Sequence, residues 1–459
     1  MSEVIVSPEL LARFNKPGPR YTSYPTVPAW TETFGEADYR EALGDVAARP
    51  ADALSVYVHL PFCAEHCAYC GCNATVTRRS QVVDVYLDRV ERELAMVAPL
   101  LGERRQVVQM HWGGGTPNFL NEAQMTRLVG LLSQHFVIDP AGEISLEIDP
   151  RIGTVEQMAQ IRALGFNRIS MGVQDINPKV QAAIGRIQPF AQTELLYRTC
   201  RDLGFTGVNL DLVYGLPFQT METFGETLAA ISDLRPDRIA YFSYAHVPWV
   251  KPKQKLIDVS ALPDTYTKFS LFRMAINSLA SAGYDWVGMD HFALRDDDLA
   301  VAARELRLHR NFMGYTTRPA LHMVGFGMSS IGDLAGRFVQ NESHLGRYQK
   351  MIDAGQLPVV RGYKLSDDDL LRRTVILHLM CNLELPYDLT RAAFGVGLAE
   401  ALGDDLERLE AYAEEGFVEL LPDRLVVTPL GRFFVRNLAM ELDAHLAKTS
   451  ARTVFSKTV

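Results

Sequence analysis

Cys63-Ala64-Glu65-His66-Cys67-Ala68-Tyr69-Cys70, continued at once by Gly71-Cys72, is the stretch from which the rest of this chain is best read. Three thiolates spaced C-x3-C-x2-C suit three irons of a [4Fe–4S] cube. The loop supplies no fourth ligand at a matching place, so one iron stays open to a small molecule. Structural zinc sites pair C-x2–4-C with a second cysteine or histidine pair further along. Here the remaining cysteines, Cys200 and Cys381, each stand alone in a helical pattern and read as apolar fillers. A disulfide framework is also disfavoured, because six cysteines in 459 residues, with no basic or apolar leader at Met1-Ser2-Glu3-Val4, describe a reduced cytoplasmic protein.

Outward from this loop the chain alternates. Short apolar runs at 54–59, 107–112, 144–148, 168–172, 207–213 and 238–243 predict strands, and amphipathic stretches at 82–98, 122–135, 155–163, 191–203 and 221–234 predict helices between them. Such alternation implies a parallel sheet with right-handed crossovers, and six units point to a partial or complete α/β barrel. In that architecture chemistry sits at the C-terminal ends of the strands, and the cysteine loop follows the first of them. Upstream, Lys16-Pro17-Gly18-Pro19-Arg20-Tyr21-Thr22-Ser23-Tyr24-Pro25 has neither helical nor strand period and is expected to pack over a domain. Regular alternation ends near 285, leaving 289–293 and 309–315 as site-lining loops. From about 365, helices at 367–381 and 398–415, a hairpin from 416–421 and 424–428, and a last helix at 428–447 suggest a winged-helix-like accessory domain without a basic recognition helix. The expected division is an N-terminal extension over the active site at 1–50, a catalytic domain at 51–365 with its barrel core to about 285, and a C-terminal domain at 366–459.

Composition bounds the function. An apolar fraction of 47% with 22% charged residues is that of a water-soluble globular chain, and no run reaches membrane-spanning length. A net charge of −9 argues against a nucleic-acid partner. It leaves room for an anionic substrate, since arginines can converge in one pocket of an acidic protein.

Each further strand end carries polar residues. Gly113-Gly114-Gly115-Thr116-Pro117 follows the second strand and lets backbone approach a ligand closely, although consecutive glycines also form ordinary turns. Glu147-Ile148-Asp149-Pro150, Gly172-Val173-Gln174-Asp175 and Asn209-Leu210-Asp211-Leu212-Val213-Tyr214-Gly215-Leu216-Pro217 can hold ribose hydroxyls or can cap the next helix. Arg186 can pair with a carboxylate or lie as a solvated charge.

The cysteine loop is similar to that of radical S-adenosylmethionine (SAM) enzymes. With Cys72, Gly113-Gly114-Gly115-Thr116-Pro117, Ser170-Met171-Gly172-Val173-Gln174-Asp175, the 211–217 run, Tyr244-Ala245-His246 and Asp290-His291-Phe292, the chain resembles the oxygen-independent coproporphyrinogen III oxidases of bacterial haem biosynthesis. The resemblance runs from the 17–25 segment to Phe455-Ser456-Lys457. It implies an α/β fold, a partial (β/α)6 radical SAM barrel with an N-terminal extension and a smaller, mostly helical C-terminal domain. It implies that Cys63, Cys67 and Cys70 ligate a [4Fe–4S] cluster and that a SAM on the open iron is held by Tyr69, Gly115, Thr116, Gln174, Arg186, Asp211 and Ala245. In that scheme Arg186 meets the methionine carboxylate, and Asp211 with Gln174 holds the ribose. A second SAM maps to Tyr57, Gly114, Glu147 and Ile331.

The implied reaction begins when one electron from the reduced cluster cleaves SAM to methionine and a 5′-deoxyadenosyl radical. The radical removes hydrogen from the β-carbon of a substrate propionate, and loss of CO2 and an electron leaves a vinyl group, twice per coproporphyrinogen III. The implied partners are coproporphyrinogen III and an electron donor such as flavodoxin or ferredoxin, with the chain a monomer free of membrane and nucleic acid. Arg20 and Arg310 are expected to clamp substrate carboxylates. The chain departs from the family at Met313, where glutamine is frequent, because methionine packs but donates no hydrogen bond. Two other readings on the same fold are a haem-binding chaperone and a radical SAM methyltransferase acting on a tetrapyrrole. Cys72 and the 20–25 segment favour the oxidase over the chaperone, whose loop commonly carries an aromatic residue in place of Cys72.

Overall fold

The computed structural model describes residue 4 and residues 6–103, 105–318, 322–446 and 455–458. Six parallel strands, β1 (Leu54–Leu60), β2 (Arg105–Gly114), β3 (Phe136–Ile148), β4 (Arg168–Gln174), β5 (Gly207–Tyr214) and β6 (Arg238–Ser243), pair in chain order. They match the expected runs, although β3 begins as early as Phe136. The helices between them are Gln81–Val97, Glu122–His135, Val155–Ala163, Phe190–Asp202 and Met221–Leu234. Local chemistry explains their placement. Helix Gln81–Val97 buries Val83, Tyr86, Val90, Leu94 and Val97 at three- and four-residue spacing against the sheet. Helix Glu122–His135 starts where Asn121 accepts the Gln124 N–H at 3.0 Å while the Gln124 side chain accepts the Asn121 N–H at 3.1 Å.

Beyond the barrel the sheet is wider than six strands. An antiparallel pair, β7 (Tyr284–Gly288) and β8 (His291–Leu294), extends it past β6, while β9 (His322–Phe326) lies parallel to β1 on the other side. Next to β9 come β10 (Ile331–Leu334), β11 (Arg337–Asn341) and β12 (Val359–Lys364), each antiparallel to its neighbour. The twelve-stranded order is β12-β11-β10-β9-β1-β2-β3-β4-β5-β6-β8-β7. Sequence periodicity loses these outer strands because tight turns or short connections, rather than amphipathic helices, join several of them. The 309–315 segment, expected to be a loop, is a two-stranded hairpin of His309–Asn311 and Gly314–Thr316.

Several expected C-terminal boundaries need correction. The helix expected at 398–415 ends at Glu410 and is followed by a 3-10 turn, Ala411–Ala413. The last helix is not continuous over 428–447. It consists of a 3-10 turn, Gly431–Phe434, and an α-helix, Val435–Glu441, and residue 447 lies outside the described residues. Just past it the Asp443 carboxylate accepts the N–H groups of His445 and Leu446, which favours a turn over further helix. The expected hairpin is a three-stranded sheet, because Glu384–Pro386 pairs with Arg424–Val427, which in turn pairs with Val418–Leu420. Val6, Leu11, Phe14, Tyr21 and Tyr24 share one buried cluster with these C-terminal elements, so the start of the chain packs chiefly on the C-terminal helices. Tyr39, Leu43 and Val46 instead join the barrel core. Among the described residues no helix is long and apolar enough to cross a membrane.

One acid locks the outer strands onto the barrel. Glu93, only 1% exposed on helix Gln81–Val97, accepts the Gly327 N–H at 2.8 Å, the Tyr348 hydroxyl at 2.7 Å and the Asn341 amide at 2.6 Å. Burial outweighs these donors and pushes its carboxyl up to about 7. A raised carboxyl favours folding while protonated, so this contribution is full below about pH 4.5 and is lost as pH rises toward 7. The loss is expected to be about 3 kcal/mol, and Glu93→Gln is expected to remove it. Parallel stability-against-pH curves for the two proteins would contradict the assignment.

Candidate active site

The glycine run at the end of β2 presses against the connection that delivers the first cysteine. The Gly115 N–H donates to Leu60 at 2.8 Å and the Thr116 N–H to Phe62 at 2.8 Å. A Cβ on Gly115 would lie 2.6 Å from the Pro61 carbonyl carbon, so only glycine permits this approach. Thr116 Oγ1 thereby stands 3.2 Å from Cys63 Sγ. The far side of the loop is tied down by Gln254, whose amide donates to the carbonyls of Tyr69 and Ala245, both at 3.1 Å.

Two guanidinium groups face the second cysteine. Arg186 and Arg151 each place an Nη atom 3.7 Å from Cys67 Sγ. Both bind Asp149: Arg186 through two contacts of 3.1 Å and Arg151 through contacts from 2.7 to 3.1 Å. Burial pushes the Asp149 carboxyl up, but the hydrogen bond from Arg151 and the charges of Arg186 and Arg151 outweigh it and hold the group below its ordinary range. At the third cysteine the Cys72 N–H donates to Cys70 Sγ at 3.4 Å. The Cys70 thiol is drawn down to about 4, first by the hydrogen bond from Cys72, against burial, and then by His66. Cys63 goes the other way, to about 11, because burial outweighs the Thr116 hydrogen bond.

The three cysteines line a single cavity of about 670 Å3 at the C-terminal ends of the strands. Its walls include Tyr69, Gly115, Thr116, Glu147, Gln174, Arg186, Asp211 and Ala245. Asp211 accepts from Ser170 at 3.1 Å and from Asn209 at 2.6 Å. Burial, followed by the nearby Glu147 carboxylate, still pushes it up to about 7. Deeper in the barrel a polar cavity of about 200 Å3 shares Glu147, Ser170, Asp211 and Phe242 with the first and is also lined by Met313.

The chain matches the Radical SAM superfamily over residues 57–231 and the HemN C-terminal domain over residues 365–434. The oxygen-independent coproporphyrinogen III oxidases of Salmonella typhimurium and Escherichia coli are 42% and 41% identical to it over 450 residues, each alignment covering 98% of both chains. The chain belongs to the oxygen-independent coproporphyrinogen III oxidase family. The solved coproporphyrinogen III oxidase (HemN) of Escherichia coli, a radical SAM enzyme, superposes with a TM-score of 0.90 at 42% identity, over 93% of this chain and 98% of that one.

As a radical SAM oxidase this chain uses a [4Fe–4S] cluster and SAM, and the donor set fits them. Each cysteine sulfur has a donor beside it: Thr116 at Cys63, two guanidinium groups at Cys67 and a backbone N–H at Cys70. Such donors stabilise thiolate charge. Among the described residues no three His, Cys, Asp or Glu side chains converge on a point for a single ion; a cubane instead asks for one thiolate on each of three irons.

The structure gathers all seven residues expected around the first SAM into the cluster cavity. The second group is arranged differently. Tyr57 on β1 stacks on His111 of β2 with ring centroids 6.1 Å apart, and His111 Nε2 lies 3.6 Å from Glu147. The Gly114 N–H donates to Glu147 at 3.2 Å. Ile331 lies across β9, its carbonyl close to Gly325, the register partner of Tyr57. Of this group only Glu147 lines the cluster cavity. Asp149, Arg151 and Gln254 were missed as site residues. Asp149 lies within the strand-end motif at 147–150 with Arg151 two residues on, but Arg186 meets it only once the end of β3 and the loop after β4 converge.

Proposed function

We propose that this oxidase converts two propionates of coproporphyrinogen III to vinyl groups without oxygen, giving protoporphyrinogen IX, in the cavity lined by Cys63, Cys67 and Cys70. What supports this reading is one observation: three thiolates, each with its own donor, share a strand-end cavity with every residue expected to hold the first SAM. When bound, the cluster and SAM supply the radical chemistry that no side chain can provide. The chain's own contribution is positioning and charge. Arg186 and Arg151 hold positive charge beside Cys67, the Gly113–Thr116 turn brings backbone against the cysteine loop, and Gln254 fixes the loop to the end of β6. Anaerobic incubation of cluster-loaded protein with SAM, a reductant and coproporphyrinogen III tests this. Mass analysis is expected to show a divinyl tetrapyrrole, whereas a methylated product would support the methyltransferase reading.

The reading includes two SAM molecules per chain, the second held by Tyr57, Gly114, Glu147 and Ile331. Its support is that Glu147 joins the cluster cavity to the inner one, where Met313 also lies. Anaerobic equilibrium binding should count two SAM per cluster in the natural protein and one in Glu147→Ala, and Met313→Gln should tighten the second by about 0.5–1.5 kcal/mol. One SAM per cluster with full conversion would remove the second site. Electrons are delivered in this reading by a carrier such as flavodoxin or ferredoxin. Its support is Trp249, 65% exposed, beside Lys251, Lys253 and Lys255 on a segment whose Val250 and Lys251 rim the cluster cavity.

A further inference from the structure

A second recess, with about 50 Å3 of free space, opens beside the cluster cavity and shares Ser243 with it. Its wall carries Arg20, Arg432, Arg436 and Lys457, drawn from the N-terminal segment, the last helical region and the chain end. Lys268 stands against it, its ammonium 5.7 Å from the ring of Tyr214, another lining residue, and donating to the Tyr244 carbonyl at 2.7 Å. Among the described residues the one acid in the wall is Asp290, and it is already engaged by Arg20 and by His291 at 2.8 Å. Among the described residues Arg432, Arg436 and Lys268 have no carboxylate within 4 Å. Arg432 stacks 4.1 Å over Trp286, and its Nε is buried without a partner.

Burying several cations without counter-charge is costly. The strain is visible in their acidity: burial first, and for most of them the charges of their neighbours, lower Arg20 and Arg432 to about 10, Arg436 to about 9 and Lys268 to about 8. Arg436 has a structural role, since it donates to the carbonyls of Gly18, Pro19, Lys457 and Thr458 and so joins the two chain ends. Among the described residues Arg432 and Lys268 each donate to one carbonyl, of Trp286 and Tyr244 respectively, and meet no carboxylate, so their charge stays uncompensated.

We propose that this recess receives a propionate carboxylate of the tetrapyrrole, one that is not undergoing reaction, with Arg432 and Lys268 supplying charge to the bound group. The assignment rests on the substrate proposed above. The recess is too small for the macrocycle and has the size of one carboxylate, and Ser243, which lines both spaces, sets it next to the larger cavity that would hold the ring. Arg20 contributes through its Asp290-paired guanidinium, so it orients the wall more than it neutralises the ligand.

The test is anaerobic equilibrium binding to the cluster-loaded protein of coproporphyrinogen III and of its tetramethyl ester. Arg432→Met is expected to weaken the tetra-acid by roughly tenfold or more, the scale of one charge-assisted hydrogen bond. Its ester binding and SAM affinity should stay as in the natural protein. Lys268→Met, beside the same recess, should act in the same direction and decides the matter if Arg432→Met does not fold. Unchanged tetra-acid affinity in a folded variant would overturn the assignment, as would equal losses for acid and ester. Failure of the natural protein to bind or convert coproporphyrinogen III would instead overturn the substrate reading on which the assignment rests.

Discussion

Cys63→Ser, Cys67→Ser and Cys70→Ser are each expected to lose the brown chromophore, the bound iron and all turnover. The fold should survive, with stability within about 1 kcal/mol of the natural protein, because serine is close to isosteric and the barrel core lies behind the loop in the strands and helices. Cys72→Ser should keep the cluster. The contact Cys72 makes with Cys70 Sγ includes its backbone N–H at 3.4 Å, which serine retains. Iron and sulfide analysis with absorption spectra after anaerobic reconstitution checks all four variants. Loss of the cluster in Cys72→Ser with retention in Cys67→Ser would overturn the ligand assignment.

Arg186→Ala is expected to have two separable effects. Arg186 is 6% exposed and donates to Asp149, to the Gly172 carbonyl at 2.7 Å and to Gln188 at 3.1 Å. Truncation leaves the Gly172 carbonyl and Gln188 without this donor, while Arg151 still holds Asp149. A stability loss of about 3 kcal/mol is expected, at the low end for breaking a buried pair. SAM binding should weaken by about 1.5–3 kcal/mol if the guanidinium also meets the methionine carboxylate. Thermal unfolding of the cofactor-free protein gives the first value and anaerobic SAM titration the second. A stability loss with unchanged SAM affinity would make Arg186 a structural tie between β4, Asp149 and the cysteine loop.

The barrel was legible because its signals are local. The helices Glu122–His135, Val155–Ala163 and Met221–Leu234 fall at their expected bounds, each starting at a side chain, Asn121, Thr154 or Thr220, that caps it. The cysteine loop was legible for the same reason: its ligands lie within eight consecutive residues. Strands β9 to β12 were not, because short connections join β9 to β10 and β10 to β11, and the one helix among them, Leu345–Asp353 ahead of β12, is short. Partnerships were the least legible. Nothing near Arg186 in the chain points to Asp149, and Arg20, Lys268, Arg432 and Arg436 come together only when both chain ends fold against the barrel mouth. Met313 lines the inner cavity, into which the hairpin carrying it turns.

The most direct test of the central claim follows the hydrogen that leaves the substrate. Coproporphyrinogen III deuterated at the propionate β-carbons, incubated anaerobically with cluster-loaded protein, SAM and reductant, is expected to yield deuterium in 5′-deoxyadenosine, with one CO2 released per vinyl group formed. Formation of the divinyl product with unlabelled 5′-deoxyadenosine would contradict the account.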